Sequence, residues 1–316
     1  MSSPAEPFLS IIIVNYNTRE LLRQCLASVE IHEPDAQVIV ADNASQDGSA
    51  AMVRRLFPRV GLVEMGSNAG FAAANNAALL RARGKYLVLL NSDVILPDDT
   101  LSRCTSWLNG SPEVGASSPR LIGVDDRPQQ CTYPFPRFRD LARQAFRLAP
   151  LRRETDEAVW LAGTALVLRG AALASIGGQL DERYWMYWED CDLSARLLKR
   201  GWRLEPFEGG WIRHLGGASG GGSDSNRRPD LHAWYMYGMH QWFATHRPRI
   251  ESAGLWLLDG VDVLRKILRG TLRSDRSIEK SQARALARVL VGRIRGRRPP
   301  VPGTSRKKKP TPLEGV

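Results

Sequence analysis

The sequence has little with which to cross-link itself or to enter a bilayer. Its four cysteines, Cys25, Cys104, Cys131 and Cys191, are scattered, without the paired spacing of a metal or redox site, and point to a reducing cytoplasm. No apolar run approaches the ~20 residues that a membrane-spanning helix needs. The opening residues, MSSPAEPF, lack the basic and apolar regions of a secretory leader. No G-x-G-x-x-G follows the first apolar run and no G-x-x-x-x-G-K-[ST] occurs anywhere, which argues against a Rossmann dehydrogenase or a P-loop enzyme. Acid is also in deficit. The chain carries a net charge of +11, and the stretch from Arg293 to Lys309 holds eight basic residues and no acidic one.

Core-forming residues are plentiful. With 43% hydrophobic residues in 316, the chain can bury one large α/β domain or two smaller ones. Four apolar segments read as strands buried on both faces: Leu9–Val14, Gln37–Ala41, Gly61–Met65 and Tyr86–Leu90. Helical segments separate them, the first behind Thr18 as N-cap with Leu21, Leu22, Cys25, Leu26 and Val29 on one face. This alternation predicts consecutive βαβ units and a parallel sheet. Each strand ends in polar residues: Asn15-Tyr16-Asn17, Asp42-Asn43, Asn68 after Gly66-Ser67, and Asn91-Ser92-Asp93. Ligands of open parallel sheets bind beyond the carboxyl ends of the strands, so four such ends on one edge describe a polar pocket.

Further on the pattern weakens. Residues 119–156 carry Pro128, Pro134, Pro136 and Pro150 among arginines and give no clear elements. Val159–Leu168 reads as one strand interrupted by Gly163, and Gly201–Pro206 and Gly210–His214 as two short ones. Tyr184, Trp185, Tyr187 and Trp188 crowd just ahead of Glu189-Asp190-Cys191-Asp192, where a helix opens. Acids in a first helical turn favour the positive end of the dipole, yet apolar neighbours also raise a carboxyl pKa toward that of a usable base. His214 precedes a glycine run at 216–222 that suits a flap or a plain linker.

Seven segments in order carry a family resemblance: IIIVNYN (Ile11–Asn17), VIVADNASQDGS (Val38–Ser49), NAGFAAANN (Asn68–Asn76), LLNSDVIL (Leu89–Leu96), GTALVLRGAAL (Gly163–Leu173), YWEDCDLSARLLKRGW (Tyr187–Trp202) and HLGGAS (His214–Ser219). Over residues 8–245 the chain resembles the inverting GT-A glycosyltransferases of the glycan-synthase-like family 2, and within them bacterial rhamnosyltransferases. The resemblance implies an α/β GT-A fold, a mixed and mostly parallel sheet flanked by helices. It makes Asp42, with Asn43 beside it, the nucleobase contact. Asn15, Asn17, Asn68, Gly70, Asn75, Asn91 and Ser92 would line the nucleotide-sugar pocket with Asp93. Asp93 and His214 would hold Mg²⁺ or Mn²⁺, with Asn91 replacing the first carboxylate of the usual D-x-D. Asp190 would be the catalytic base, with Glu189 beside it.

The implied reaction moves a sugar from a nucleoside-diphosphate donor, dTDP-rhamnose or a UDP-hexose, to a lipid-linked or cell-surface glycan. A sugar nucleotidyltransferase and a basic nucleic-acid-binding protein are the rivals. The first wants a glycine-rich loop after the first strand, which Asn15-Tyr16-Asn17-Thr18 is not, and the second leaves the polar strand ends without a use; no specific nucleic acid is expected. The implied organisation is a GT-A domain over 1–249, amphipathic basic helices over 250–296 and a disordered basic tail over 297–316. Such helices and basic residues suit an anionic membrane surface, giving a cytoplasmic protein held peripherally at the inner face of the membrane.

Overall fold

The computed structural model describes residues 8–146, 148–149, 158–216, 229–272 and 277–302; the glycine run beyond Gly216 and the chain after residue 302 lie outside them. In chain order the first half comprises β1 (Leu9–Asn15), α1 (Arg19–His32), β2 (Gln37–Asp42), α2 (Ser49–Leu56), β3 (Gly61–Glu64), α3 (Phe71–Leu79), β4 (Tyr86–Asn91), β5 (Val94–Ile95), α4 (Thr100–Gly110) and β6 (Val114–Ile122). Then come β7 (Pro128–Gln129), β8 (Thr132–Pro134), α5 (Phe138–Ala145), β9 (Val159–Leu161), β10 (Ala165–Arg169), α6 (Gly170–Ser175) and α7 (Glu189–Lys199). The chain continues through β11 (Arg203–His214), α8 (Pro229–His246), α9 (Arg249–Leu272) and α10 (Ser277–Ile294).

The main sheet runs β3-β2-β1-β4-β10-β6-β11-β5, with β7 on β6. The first four strands are mutually parallel, as the sequence predicts. β10 lies antiparallel to β4 and β6, β11 is parallel to β6, and β5 is antiparallel to β11. Ile11, Ile12 and Ile13 show why β1 is central. All three are fully buried, and because successive strand residues face opposite ways, Ile11 and Ile13 join the cluster of Leu22, Cys25, Leu26 and Val29 from α1. Ile12 meets Ala72, Ala74 and Ala78 of α3 on the other face. Each such side chain removed from water contributes roughly 1.5–3 kcal/mol. From β1 the chain steps outward to β2 and β3, then returns to place β4 on the other side of β1. The β1–β4 boundary is therefore the topological switch point, where a crevice opens beyond the strand ends.

Two local expectations change, and one strand was not anticipated. The segment Val159–Leu168 is two strands in different sheets: β9 pairs with β8 in a two-stranded ribbon, and β10 enters the main sheet. Conversely, β11 is one strand of 12 residues, broken in register between Phe207 and Trp211 where it slips past β6. β6 itself is an interior strand, concealed in sequence by the buried Ser117 and Ser118 and by Pro119.

The C-terminal helices pack onto the rest of the molecule. Met236, Met239, Trp242 and Phe243 of α8 form one cluster with Leu255 of α9 and Leu286 of α10, and Ala233 meets Ala285 and Val289. Residues 297–302, expected in the tail, also lie on α8: the Trp234 indole N–H donates to the Pro300 carbonyl at 3.1 Å, and Val301 packs with Trp185 and Trp234. α9 keeps an apolar stripe in solvent, with Ile250 80% and Leu257 74% exposed and Val261 and Leu264 exposed beside them.

Candidate active site

The ends of β1, β2 and β4 are tied together by their own polar side chains. Asn15, fully buried, donates from Nδ2 to Asp42 Oδ1 at 2.9 Å and to Ser45 Oγ at 3.0 Å. Its Oδ1 accepts from Thr18 Oγ1 at 2.6 Å, and Thr18 Oγ1 lies 2.9 Å from Ser92 Oγ. Thr18 does occupy the N-cap of α1 but makes no side-chain cap bond. Its hydroxyl is spent instead on joining β1 to the loop after β4. Asn17, at φ 54, accepts the Gln46 N–H at 2.7 Å. The Ser45 N–H donates to Asp42 Oδ2 at 2.9 Å. Asp42 is thus a buried carboxylate fixed by two donors, one on each oxygen, at the lip of the switch point.

A second loop is held by amide-to-amide bonds. Asn43 Nδ2 donates to Asn68 Oδ1 at 2.9 Å, and Asn43 Oδ1 accepts the Ala69 N–H at 2.9 Å. Gly70 follows at φ +95; a Cβ there would stand 2.3 Å from the Trp185 carbonyl oxygen. That oxygen accepts the Phe71 N–H at 2.7 Å. Glycine is therefore required both for its backbone conformation and for the approach of the Trp185 segment. Asn75 is buried on α3, its Nδ2 bonded back to the Phe71 carbonyl and its Oδ1 unpartnered. Its neighbour Asn76, not singled out from the sequence, clamps both backbone groups of Leu180.

After β4, Asn91 gives its backbone N–H to the Thr164 carbonyl at 3.0 Å. Asp93 is buried, and its Oδ1 has no hydrogen-bond partner. His214, at the end of β11, sits with Nε2 3.5 Å from that oxygen. The β5–β11 pairing brings them together, with Val94 opposite His214. Gln129 Oε1, 2.8 Å from His214 Nδ1, orients the ring. Nothing in the irregular stretch around Gln129 signalled this.

Glu189 and Asp190 open α7. Trp188, just before them, is in the left-handed region at φ 73, as is Tyr187 at φ 68. Asp190 remains partly exposed, with Oδ2 accepting the Gly163 N–H at 2.9 Å and Oδ1 the Cys191 N–H at 2.8 Å. Glu189 is buried and its Oε2 has no partner. Burial pushes both carboxyl groups up, Glu189 the further, because Asp190's charge adds to its desolvation. The two backbone donors pull Asp190 back down. Of the two, Glu189 is the more strongly biased toward its protonated form. Gly163-Thr164 connects the two halves of the site, bonding Asp190 through one residue and Asn91 through the next.

The third acid of the motif, Asp192, faces away. It is fully buried, 2.7 Å from His246 Nε2 and 2.7 Å from Arg196 Nε, and pins α7 to α8. Trp188 packs on Tyr235 and Trp242 of α8. Gly238 leaves room for it, since a Cβ there would lie 2.8 Å from the indole.

A mostly parallel sheet thus carries polar strand ends at its switch point, with the Glu189-Asp190 pair tied to them through Gly163-Thr164. Among solved structures, the mannosyltransferase PcManGT from Pyrobaculum calidifontis, in complex with GDP-Man and Mn²⁺, superposes with TM-score 0.54 at 17% identity, covering 92% of this chain and 88% of that one. S. aureus TarS 1–349 in complex with UDP-GlcNAc superposes with TM-score 0.51 at 14% identity, covering 92% of each. In sequence, residues 10–153 match the model of glycosyl transferase family 2. An N-acetylglucosaminyl-diphospho-decaprenol L-rhamnosyltransferase of Mycobacterium tuberculosis is 27% identical over 220 residues, 61% of this chain and 71% of that protein. Residues 10–153 are thus similar to family 2 glycosyltransferases, the chain has the GT-A fold, and its sequence is similar to that of a rhamnosyltransferase.

Proposed function

We propose that the chain transfers L-rhamnose from dTDP-rhamnose, with inversion, to a lipid-linked glycan. The observation that carries this reading is the bridge through Gly163-Thr164. It sets Asp190, a carboxylate held by two N–H donors, beside the strand end that carries the unpartnered Asp93. Asp190 takes the proton of the acceptor hydroxyl as it attacks the anomeric carbon. Single displacement needs no second carboxylate nucleophile, in contrast with retaining glycoside hydrolysis. Asp42, Asn43 and the loop from Asn68 to Gly70 hold the nucleotide, Asp42 already fixed by Asn15 and Ser45 and Asn43 by Asn68 and Ala69. The rhamnosyl donor and the lipid-linked acceptor are taken from the relative's name, and sequence likeness supports them.

Asp93 and His214 are the residues that would hold a divalent cation. They fit it through the unpartnered Asp93 Oδ1 facing His214 Nε2. Among the described residues no group of three His, Cys, Asp or Glu side chains could hold an ion alone, and Mg²⁺ commonly binds through one or two carboxylates plus substrate phosphates. When bound, such an ion supplies Lewis-acid stabilisation of the leaving diphosphate.

The acceptor's lipid calls for a place at the membrane. No helix among the described residues is long and apolar enough to cross one. The exposed Ile250, Leu257, Val261 and Leu264 stripe of α9 suits shallow insertion, with the basic C-terminal residues on an anionic leaflet. The test is thermal stabilisation by dTDP-rhamnose, UDP-glucose and UDP-GlcNAc, each with Mg²⁺, Mn²⁺ or EDTA, followed by transfer to a prenyl-diphosphate-linked sugar. Metal-dependent stabilisation by dTDP-rhamnose above the UDP-sugars is expected. Stabilisation by UDP-sugars alone would replace the donor, and salt-sensitive RNA binding without any sugar-nucleotide response would overturn the reading.

A further inference from the structure

The transfer chemistry leaves unused a crevice of about 700 Å³ between α8, α10 and residues 295–300, a volume typical of small-molecule sites. Its floor is apolar, from Ala233, Ala285 and Val289. Its rim carries Arg284, Arg288, Arg295, Arg297 and Arg298, and among the described lining residues Asp230 is the single carboxylate against these five guanidinium groups. One wall is built by the chain turning back after α10. The Arg297 N–H donates to the Gly292 carbonyl at 2.7 Å, Gly296 takes φ +65, and a Cβ on Gly292 would lie 3.1 Å from the Arg297 oxygen. Trp234 fixes the far end of that wall through the Pro300 carbonyl.

We propose that this crevice binds the phosphate end of a polyprenyl-phosphate-linked acceptor. The guanidinium groups take the phosphate oxygens in bidentate fashion, and the alanine and valine floor takes the first isoprene units. The inference rests on the lipid-linked-acceptor reading above and gives that acceptor a location. A bilayer phospholipid presents its phosphate at a plane and needs no recess, whereas here the apolar surface lies inside the rim of charge. The placement also suits the reaction. α8 turns Asp230 and Ala233 to the crevice, and Tyr235 and Gly238 to the Trp188 segment that precedes Asp190. The crevice and the Trp188 segment thus lie against opposite flanks of one helix, itself about 10–12 Å across.

The full chain is titrated with farnesyl diphosphate, with inorganic pyrophosphate and with phosphatidylglycerol vesicles. The same titrations are run on R288E/R295E and on A287W, which fills the crevice; melting curves confirm that both variants fold. Farnesyl diphosphate should bind the wild type at least about tenfold more tightly than pyrophosphate, and both variants should lose at least about tenfold in its affinity. The KM for lipid-linked acceptor should rise by a similar factor while kcat and the donor KM stay within about twofold. Unchanged farnesyl diphosphate affinity in both variants overturns the proposal. So does equal binding of pyrophosphate, which would mark a free-phosphate site, or vesicle binding without farnesyl diphosphate binding, which would mark a membrane-docking surface. If lipid-linked acceptor is used normally by both variants, the crevice assignment fails and the acceptor reading stands. If farnesyl diphosphate binding follows the variants but the wild type glycosylates only soluble sugars, the acceptor reading fails and the lipid-phosphate site stands.

Discussion

Replacing Asp190 by asparagine removes one charge and almost no volume, so the expected effect can be worked from two hydrogen bonds. The carboxylate accepts the Gly163 N–H at one oxygen and the Cys191 N–H at the other. An asparagine keeps one acceptor and must turn its NH₂ toward the remaining donor. One charge-assisted bond is lost, worth about 1.5–3 kcal/mol, and relief from desolvating the charge offsets part of it. The fold should survive with a modestly lower Tm. Transfer should fall by ~10²–10⁴, the usual worth of a general base, or about 3–5 kcal/mol of barrier. Donor affinity should stay within about threefold, because the side chains of Asp42 and Asn43 are bonded to groups other than Asp190 and Asp93 faces His214. Single-turnover transfer, with donor affinity measured separately, tests both halves. In the wild type, the upward push on Asp190's pKa places the acid limb of the rate profile above the ordinary aspartate range. Turnover within about threefold of wild type by a folded Asp190→Asn protein would falsify the assignment of the base.

Asp93→Ala should weaken nucleoside-diphosphate binding far more in Mg²⁺ or Mn²⁺ than in EDTA, read by titration; equal losses in both would leave the basic residues to carry the diphosphate. Glu189→Gln should raise Tm at pH 8 and change it little at pH 4. Glu189's folded pKa is raised, so its stabilising contribution is complete below the unfolded value and disappears as pH rises through the folded one; a uniform shift across pH would contradict this. Gly70→Ala must move the Trp185 carbonyl or flip a left-handed residue, costing about 1–3 kcal/mol of stability and most donor affinity. A wild-type Tm in that variant would mean the loop is held by other contacts.

The half of the fold around β1 was legible because both faces of its strands are covered, so each reads as an unbroken apolar run that stops at a polar edge. Where burial is shared with polar atoms the signal fails: Ser117, Ser118 and Pro119 hide an interior strand. Gly163 looked like a flaw within one strand, yet it is where the chain leaves the β8–β9 ribbon, and its N–H is what Asp190 needs. In the site, the motif residues stand out by type and position. Their supporters do not: Gln129 behind His214, Asn76 on Leu180 and His246 on Asp192 each act across at least 54 residues of sequence. No local pattern records such pairings. The basic helices were legible as amphipathic, but amphipathicity cannot say whether the apolar face meets lipid or protein; Leu286 and Val289 meet α8, whereas Leu257 meets solvent.

The segment Trp185–Trp188 bears on the timing of the reaction. At one end its backbone carbonyl is bonded to Phe71, at the start of the helix behind the Asn68–Gly70 loop. At the other end two left-handed residues in succession lead straight into Glu189 and Asp190. On the proposed roles of that loop and of Asp190, a change in the loop when the donor arrives would be handed through four residues to the carboxylate. An enzyme wired in this way should take its substrates in sequence, donor before acceptor. Its steady-state kinetics should show the free nucleoside diphosphate competing with the donor alone and inhibiting noncompetitively toward the acceptor.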